Sequence, residues 1–222
     1  MTEVNAATEA GPVAAARSGS SDTPATGPSG NPAVLGLLVF ALGSTVLGIS
    51  LLGFVSAAGQ GGSVLPIASA ATGVVLLVTT VWAAVEKETF VATVLGAFAG
   101  FWLSYTLLVL GLAHNWYGIP LADVNHTVVQ FLIGWGIVVL MLDLISLRIP
   151  LVFSLILTDA VIAILLLIIA QLTGTTALDR LAGVLVLVFA LLGYYAYLSA
   201  AWASVGGKPL PMGPPAVGLL PR

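Results

Sequence analysis

The stretch "NPAVLGLLVFALGSTVLG", residues 31–48, decides the reading of this chain. The thirty residues before it are mostly small or polar, and apolarity then hardly relents until Trp202. Asn31 is a good helix N-cap, and Pro32 suits the first helical position, where no amide donor is needed. The stretch therefore opens a helix. Gly36, Gly43 and Gly48 give that helix low-relief patches, and small residues let neighbouring helices approach closely in lipid.

Composition sets the solvent. The chain is 59% hydrophobic and 7% charged, whereas a soluble domain carries about 25% charged residues. Too little polar surface exists to coat a water-facing globule. An all-α, multi-pass membrane protein follows, because only self-satisfied helices or closed barrels cross a bilayer. A span needs about 20 mostly apolar residues. Six stretches qualify, at 33–55, 64–85, 90–113, 127–146, 150–172 and 180–203. The domain plan is a disordered tail at 1–30, six transmembrane helices within 31–203, and an irregular tail at 204–222 with five prolines in its last fourteen residues. A glycine-rich turn is expected at 57–63, a charged break at 86–88 and the longest loop at 114–126, with Trp116 and Tyr117 as interfacial anchors. Pro150 favours a helix start. Basic residues set the orientation. With both termini cytoplasmic, Arg17, Lys87, Arg148, Lys208 and Arg222 lie inside and only Arg180 outside.

The chemistry-bearing residues are few. The chain has no cysteine and two histidines, so cysteine-ligated metals are excluded and no metal site or cofactor is expected. No phosphate-binding loop, nucleic-acid motif or membrane Ser-His pair appears. Asp143 and Asp159 lie within spans, where a charge costs about 2.5 kcal/mol or more and needs a partner or water. Neither sits in the Gly-x-Gly-Asp context of an intramembrane aspartyl protease, so an enzyme is not expected. Asp143 is placed to pair with Arg148. Asp159, about 14 Å along its helix, is the candidate proton carrier. Ser154 and Thr158 stack at i, i+4 as rungs of a polar stripe beside it. Phe98, Phe101, Trp102 and Tyr105 share one face of the third span, with Gly96 and Gly100 on another.

The motif at 31–37, with Asn31, Pro32, Ala33, Leu35, Gly36 and Leu37, resembles the signature of the acetate/succinate permease family, the acetate uptake transporters of the YaaH/SatP type. Val34 stands where the family has a second proline. "FVATVLGAFAGFWLSYTLLVLG" at 90–111, "AYLSAAW" and "KPLPMG" extend the likeness. The resemblance implies a homohexamer in the plasma (inner) membrane, each protomer with a pore for acetate, related monocarboxylates or succinate, by proton coupling or as a channel. It further implies a hydrophobic gate from the first, third and fifth helices, which maps to Phe40, Phe98 and Leu157. Phe98 replaces the family tyrosine and lacks its hydroxyl. A channel for neutral solutes such as amides or urea, or a membrane protein with no transport role, are the alternatives.

Overall fold

A computed structural model of the chain describes residues 30–219. The expected tail at 1–30 lies almost wholly outside them. Six helical crossings are present, as expected, each long and apolar enough to span a membrane. The first is α1 (Pro32–Leu51). The second is one continuous rod made of α2 (Ala57–Pro66), a π-helical stretch (Ile67–Val74) and α3 (Val75–Val85). The others are α4 (Thr89–Ala113), α5 (Val124–Ser146), α6 (Leu151–Thr173) and α7 (Thr176–Ser204).

The boundaries follow local chemistry. Asn31 Oδ1 accepts from the Ala33 amide at 2.9 Å, and Pro32 is the first residue of α1, as its sequence demands. The helix stops at Leu51, short of the expected residue 55, because Gly53 turns left-handed at φ +86°. The expected glycine-rich turn at 57–63 is instead the opening of α2. Ser56 caps it by accepting from the Gly59 amide at 3.2 Å, so the glycines are drawn into the helix. The π-helical stretch begins one residue after Pro66, whose ring removes a donor and crowds the carbonyl a turn earlier; the wider turn relieves that crowding. Pro150 stands just before α6 as its N-cap, with Leu151 as the first helical residue.

Each glycine of α1 answers to a different neighbour. A Cβ on Gly36 would meet the Leu95 side chain of α4 at 2.6 Å, and one on Gly43 would meet Thr72 Oγ1 in the π stretch at 2.6 Å. Gly48 lies against α7, where a Cβ would fall 3.1 Å from the Gly183 carbonyl. The relation is reciprocal, since a Cβ on Gly183 would meet Leu51 Cβ at 2.9 Å and the Gly48 carbonyl at 3.1 Å. Gly96 and Gly100 likewise admit Thr80 of α3 and Trp135 of α5. Thr72 adds a buried bond from its hydroxyl to the Val39 carbonyl at 3.0 Å, tying the second crossing to the first.

The tail after α7 is irregular in backbone until a short 3-10 turn at Ala216–Leu219, but it is strapped to the bundle. Tyr195 donates to the Pro211 carbonyl at 2.7 Å and Ser199 to the Leu210 carbonyl at 3.2 Å. The Val152 amide bonds the Met212 carbonyl, and the Val217 amide bonds the Leu147 carbonyl.

Gly183→Ala is expected to lower stability by about 1–3 kcal/mol, the usual cost of forcing a methyl into a closed contact. Gly134→Ala, where nothing lies within 4 Å, should leave it intact. Thermal unfolding followed by size-exclusion chromatography in detergent separates the two.

Candidate functional site

Two internal cavities lie in series. The outer one, about 360 Å³, sits between the first halves of α1, α4 and α6. Ala33, Gly36, Leu37 and Phe40 line it from α1, Phe90, Val91, Val94, Leu95 and Phe98 from α4, and Phe153, Ile156 and Leu157 from α6. Ile149 and Pro150 complete the wall beside the docked C-terminal strap. Because α1, α4 and α6 all start on the same side of the bundle, the cavity belongs to that side. The inner cavity is smaller, about 70 Å³, and is walled by α1, α4, α5, α6 and α7.

Phe40 and Phe98 line both cavities and therefore stand between them. Their rings meet edge to face, with centroids 4.8 Å apart and planes at 71°. Leu157 lines the outer cavity alongside them. All three are buried. The residues mapped from the first, third and fifth spans thus come together at one place in the bundle.

Sequence reasoning missed Phe189 of α7. Its ring lies 4.5 Å from that of Phe40 and 6.1 Å from that of Phe98. The available signal was the one phenylalanine in "LVLVFALLG", four residues before Gly193. A Cβ on Gly193 would sit 3.3 Å from Ala41 Cβ and 3.5 Å from Phe40 Cδ1, so α7 approaches α1 closely at Ala41 with the Phe40 ring alongside. Phe101 and Trp102 also line the inner cavity, and Phe101 packs on Tyr105, Phe131 and Trp135.

The motif residues divide by face. Ala33, Gly36 and Leu37 line the outer cavity, Pro32 is buried, and Leu35 is exposed. The polar residues of α6 lie elsewhere. Ser154 donates to the Ser146 carbonyl at 2.8 Å, and Thr158 donates to Asp143 Oδ1 at 3.0 Å. Both bonds cross the seam between α5 and α6. Asp143 also accepts from Ser146 Oγ, and the expected pairing with Arg148 is not among its contacts. The reason is reach: Thr158 faces Asp143 across the seam, while Arg148 lies past the helix end, where the chain has turned away. Asp159 is half-buried on α6, beside Ala160 and one turn before Ala163, both of which line the inner cavity. Its Oδ2 atom has no hydrogen-bond partner. Among the described residues no group of three or more His, Cys, Asp or Glu side chains is placed to hold a metal.

The fold and site define a multi-pass helical membrane protein with two apolar-lined cavities separated by packed aromatic rings. The chain belongs to the GPR1/FUN34/yaaH family, which matches residues 16–206; the family read from the Asn-Pro motif is the one found. Among curated proteins it is 30% identical to Ammonia transport outward protein 2 of Saccharomyces cerevisiae over 74% of this chain and 59% of that one. It is also 30% identical to Accumulation of dyads protein 2 of the same yeast, over 77% of this chain and 61% of that one. The chain therefore spans about three-fifths of the length of these relatives. Among solved structures it shares its fold with the bacterial acetate channel SatP, with a TM-score of 0.73 at 22% identity, covering 83% of this chain and 99% of that one.

Thr158→Val removes the donor to Asp143 and is expected to cost about 0.6–1.7 kcal/mol, the range for such bonds between membrane helices. Because the pair faces the seam, solute flux in reconstituted vesicles should stay within the scatter of the parent protein.

Proposed function

We propose that this protein is a permease or channel for acetate and related small carboxylates, succinate included. The observation that carries the reading is the outer cavity: an apolar chamber of about 360 Å³ that ends on Phe40 packed against Phe98, with a second chamber behind. Such a constriction selects by size and by the work of shedding water, since no fixed charge replaces a solute's hydration there. Phe40, Phe98 and Leu157 form the gate in this reading. Membership of the family and the fold shared with an acetate channel support acetate as the solute. Asp159, with its unpartnered Oδ2, is the remaining candidate for a proton-carrying role.

In the same reading the protein works in the plasma (inner) membrane with both termini cytoplasmic, in keeping with five of its six basic residues, so that the outer cavity faces the cytoplasm. It assembles as a homohexamer. Exposed apolar faces, such as Val74, Leu77, Val78 and Val81 on the second crossing, supply surface for lipid and for neighbouring copies. A second solute is favoured by a specific likeness: one 30% identical relative is named for outward ammonia transport, and an apolar gate suits a small neutral molecule equally well.

Uptake of labelled acetate into vesicles, with and without a proton ionophore and with ammonium as competitor, tests this reading. Phe40→Ala and Leu157→Ala are expected to raise leak several-fold and to weaken selection for small acids. Phe98→Tyr nearly keeps the ring volume; it should change acetate flux and leave thermal stability unaltered. Leu107→Ala, on an exposed face of α4, is the control. Equal flux in all four would place the constriction elsewhere.

A further inference from the structure

Among the described residues three buried side-chain polar atoms have no hydrogen-bond partner: Ser50 Oγ, Trp102 Nε1 and Asp159 Oδ2. Of the three residues, Trp102 alone lines one of the two cavities in series. It stands in the middle of α4, one turn beyond Phe98 on the same face, and is 2% exposed. Phe101 and Tyr105 pack on its ring edge to face, with centroids 5.3 and 6.2 Å away. No protein atom accepts from its indole N–H.

An indole N–H is a donor only, and a donor buried in a membrane protein without an acceptor is costly. A purely structural position would take phenylalanine or leucine without that cost. Tryptophan here points to an acceptor that enters with the contents of the cavity. The inner cavity, about 70 Å³, holds the bulk of about two waters at roughly 30 Å³ each, or one solute of a few heavy atoms. Its walls treat the two ends of such a solute differently. Phe40, Phe98, Phe189, Leu132 and Ile164 offer hydrocarbon alone. Ser44 is the other lining residue with a side-chain polar atom, and its hydroxyl already donates to the Phe40 carbonyl at 2.8 Å. Trp102 is therefore the one uncommitted side-chain donor on the wall of this cavity.

We propose that the inner cavity is a binding site for a small monocarboxylic solute, in which the Trp102 indole N–H donates to a carboxyl oxygen while the short alkyl end lies against the phenylalanine rings. The inference rests on the acetate reading above. A carboxyl group suits the donor because its oxygens accept. Ammonium does not suit it, since ammonium carries donors alone and would set N–H against N–H. Trp102 thus selects between the two solutes considered above, which apolar rings by themselves do not.

The test reads the N–H itself. Purified full-length protein with isotope-labelled tryptophan, held in lipid nanodiscs, gives one indole signal in nuclear magnetic resonance for each of its five tryptophans. The signal that survives replacement of each of the other four in turn is that of Trp102. Acetate near neutral pH is expected to move this signal downfield and saturably, whereas ammonium chloride at equal concentration should leave it in place. In labelled-acetate flux into vesicles, Trp102→Phe should raise the concentration for half-maximal flux about tenfold, as expected for one lost hydrogen bond. Trp135→Phe makes the same cut at a tryptophan that lines neither cavity, and should leave that concentration unchanged. A Trp102 signal that ignores acetate while wild-type flux exceeds protein-free lipid would overturn the binding site and leave acetate transport standing. A signal that ammonium moves as far as acetate would overturn the selectivity assigned to the indole. An unchanged half-maximal concentration in folded Trp102→Phe would remove the indole from the solute's path. Wild-type flux no greater than lipid alone would overturn the acetate reading itself.

Discussion

The close approach of α1 and α7 at Gly48 and Gly183 is the contact on which the rest of the bundle depends. Each glycine faces the other's carbonyl at a distance that leaves no room for a methyl. Lipid tails are as apolar as the side chains they replace, so helices in a bilayer associate through packing rather than through escape from water. Two bare backbones in contact are therefore an effective way to hold the first and last crossings together. That contact brings the middle of α7 against the middle of α1, with Gly193 beside Ala41 and Phe40. The ring of Phe189 then has nowhere to go but onto Phe40.

A second constraint acts on the polar side chains. In lipid every hydroxyl must find a partner. Most find one a turn earlier on their own helix: Ser44 on Phe40, Thr45 on Ala41, Thr80 on Leu76, Thr106 on Trp102. Others are used between helices, as with Thr72 on Val39 and Thr158 on Asp143, and Ser50 Oγ is the exception among the described residues, buried without a partner. The walls of the two cavities are left almost bare of polar groups as a result. The polar inventory of the chain holds the bundle together, and the aromatic inventory fills its middle.

Much of this was legible in the sequence because a bilayer imposes a coarse rule. Length and apolarity alone locate six crossings, and Asn31–Pro32 marks the start of the first. The glycines of α1 read correctly as packing positions, although which helix meets each one depends on tertiary geometry. The boundaries that failed are local. Gly53 ends α1 early, and the glycines at 57–63 join a helix once Ser56 caps it. The π-helical turn after Pro66 has no period that a sequence scan would detect. At the site, Phe40, Phe98 and Leu157 came from resemblance. Phe189 stayed hidden because a phenylalanine in an aliphatic run looks the same whether it faces lipid or another ring. Asp143, Ser154 and Thr158 were read as pathway or surface groups, since spacing along one helix does not reveal which neighbour stands opposite.

The three packed rings have a consequence for bioenergetics. Protons cross membranes fastest by hopping along an unbroken file of hydrogen-bonded waters. Rings whose centroids stand 4.5, 4.8 and 6.1 Å apart, with no hydroxyl among them, leave no place for such a file to form. The bundle thus holds two chambers in a row with no hydroxyl on the rings between them, and in the transport reading it would insulate against free protons. In the proposed transport reading, a cell carrying many copies would keep its transmembrane voltage while the solute passes.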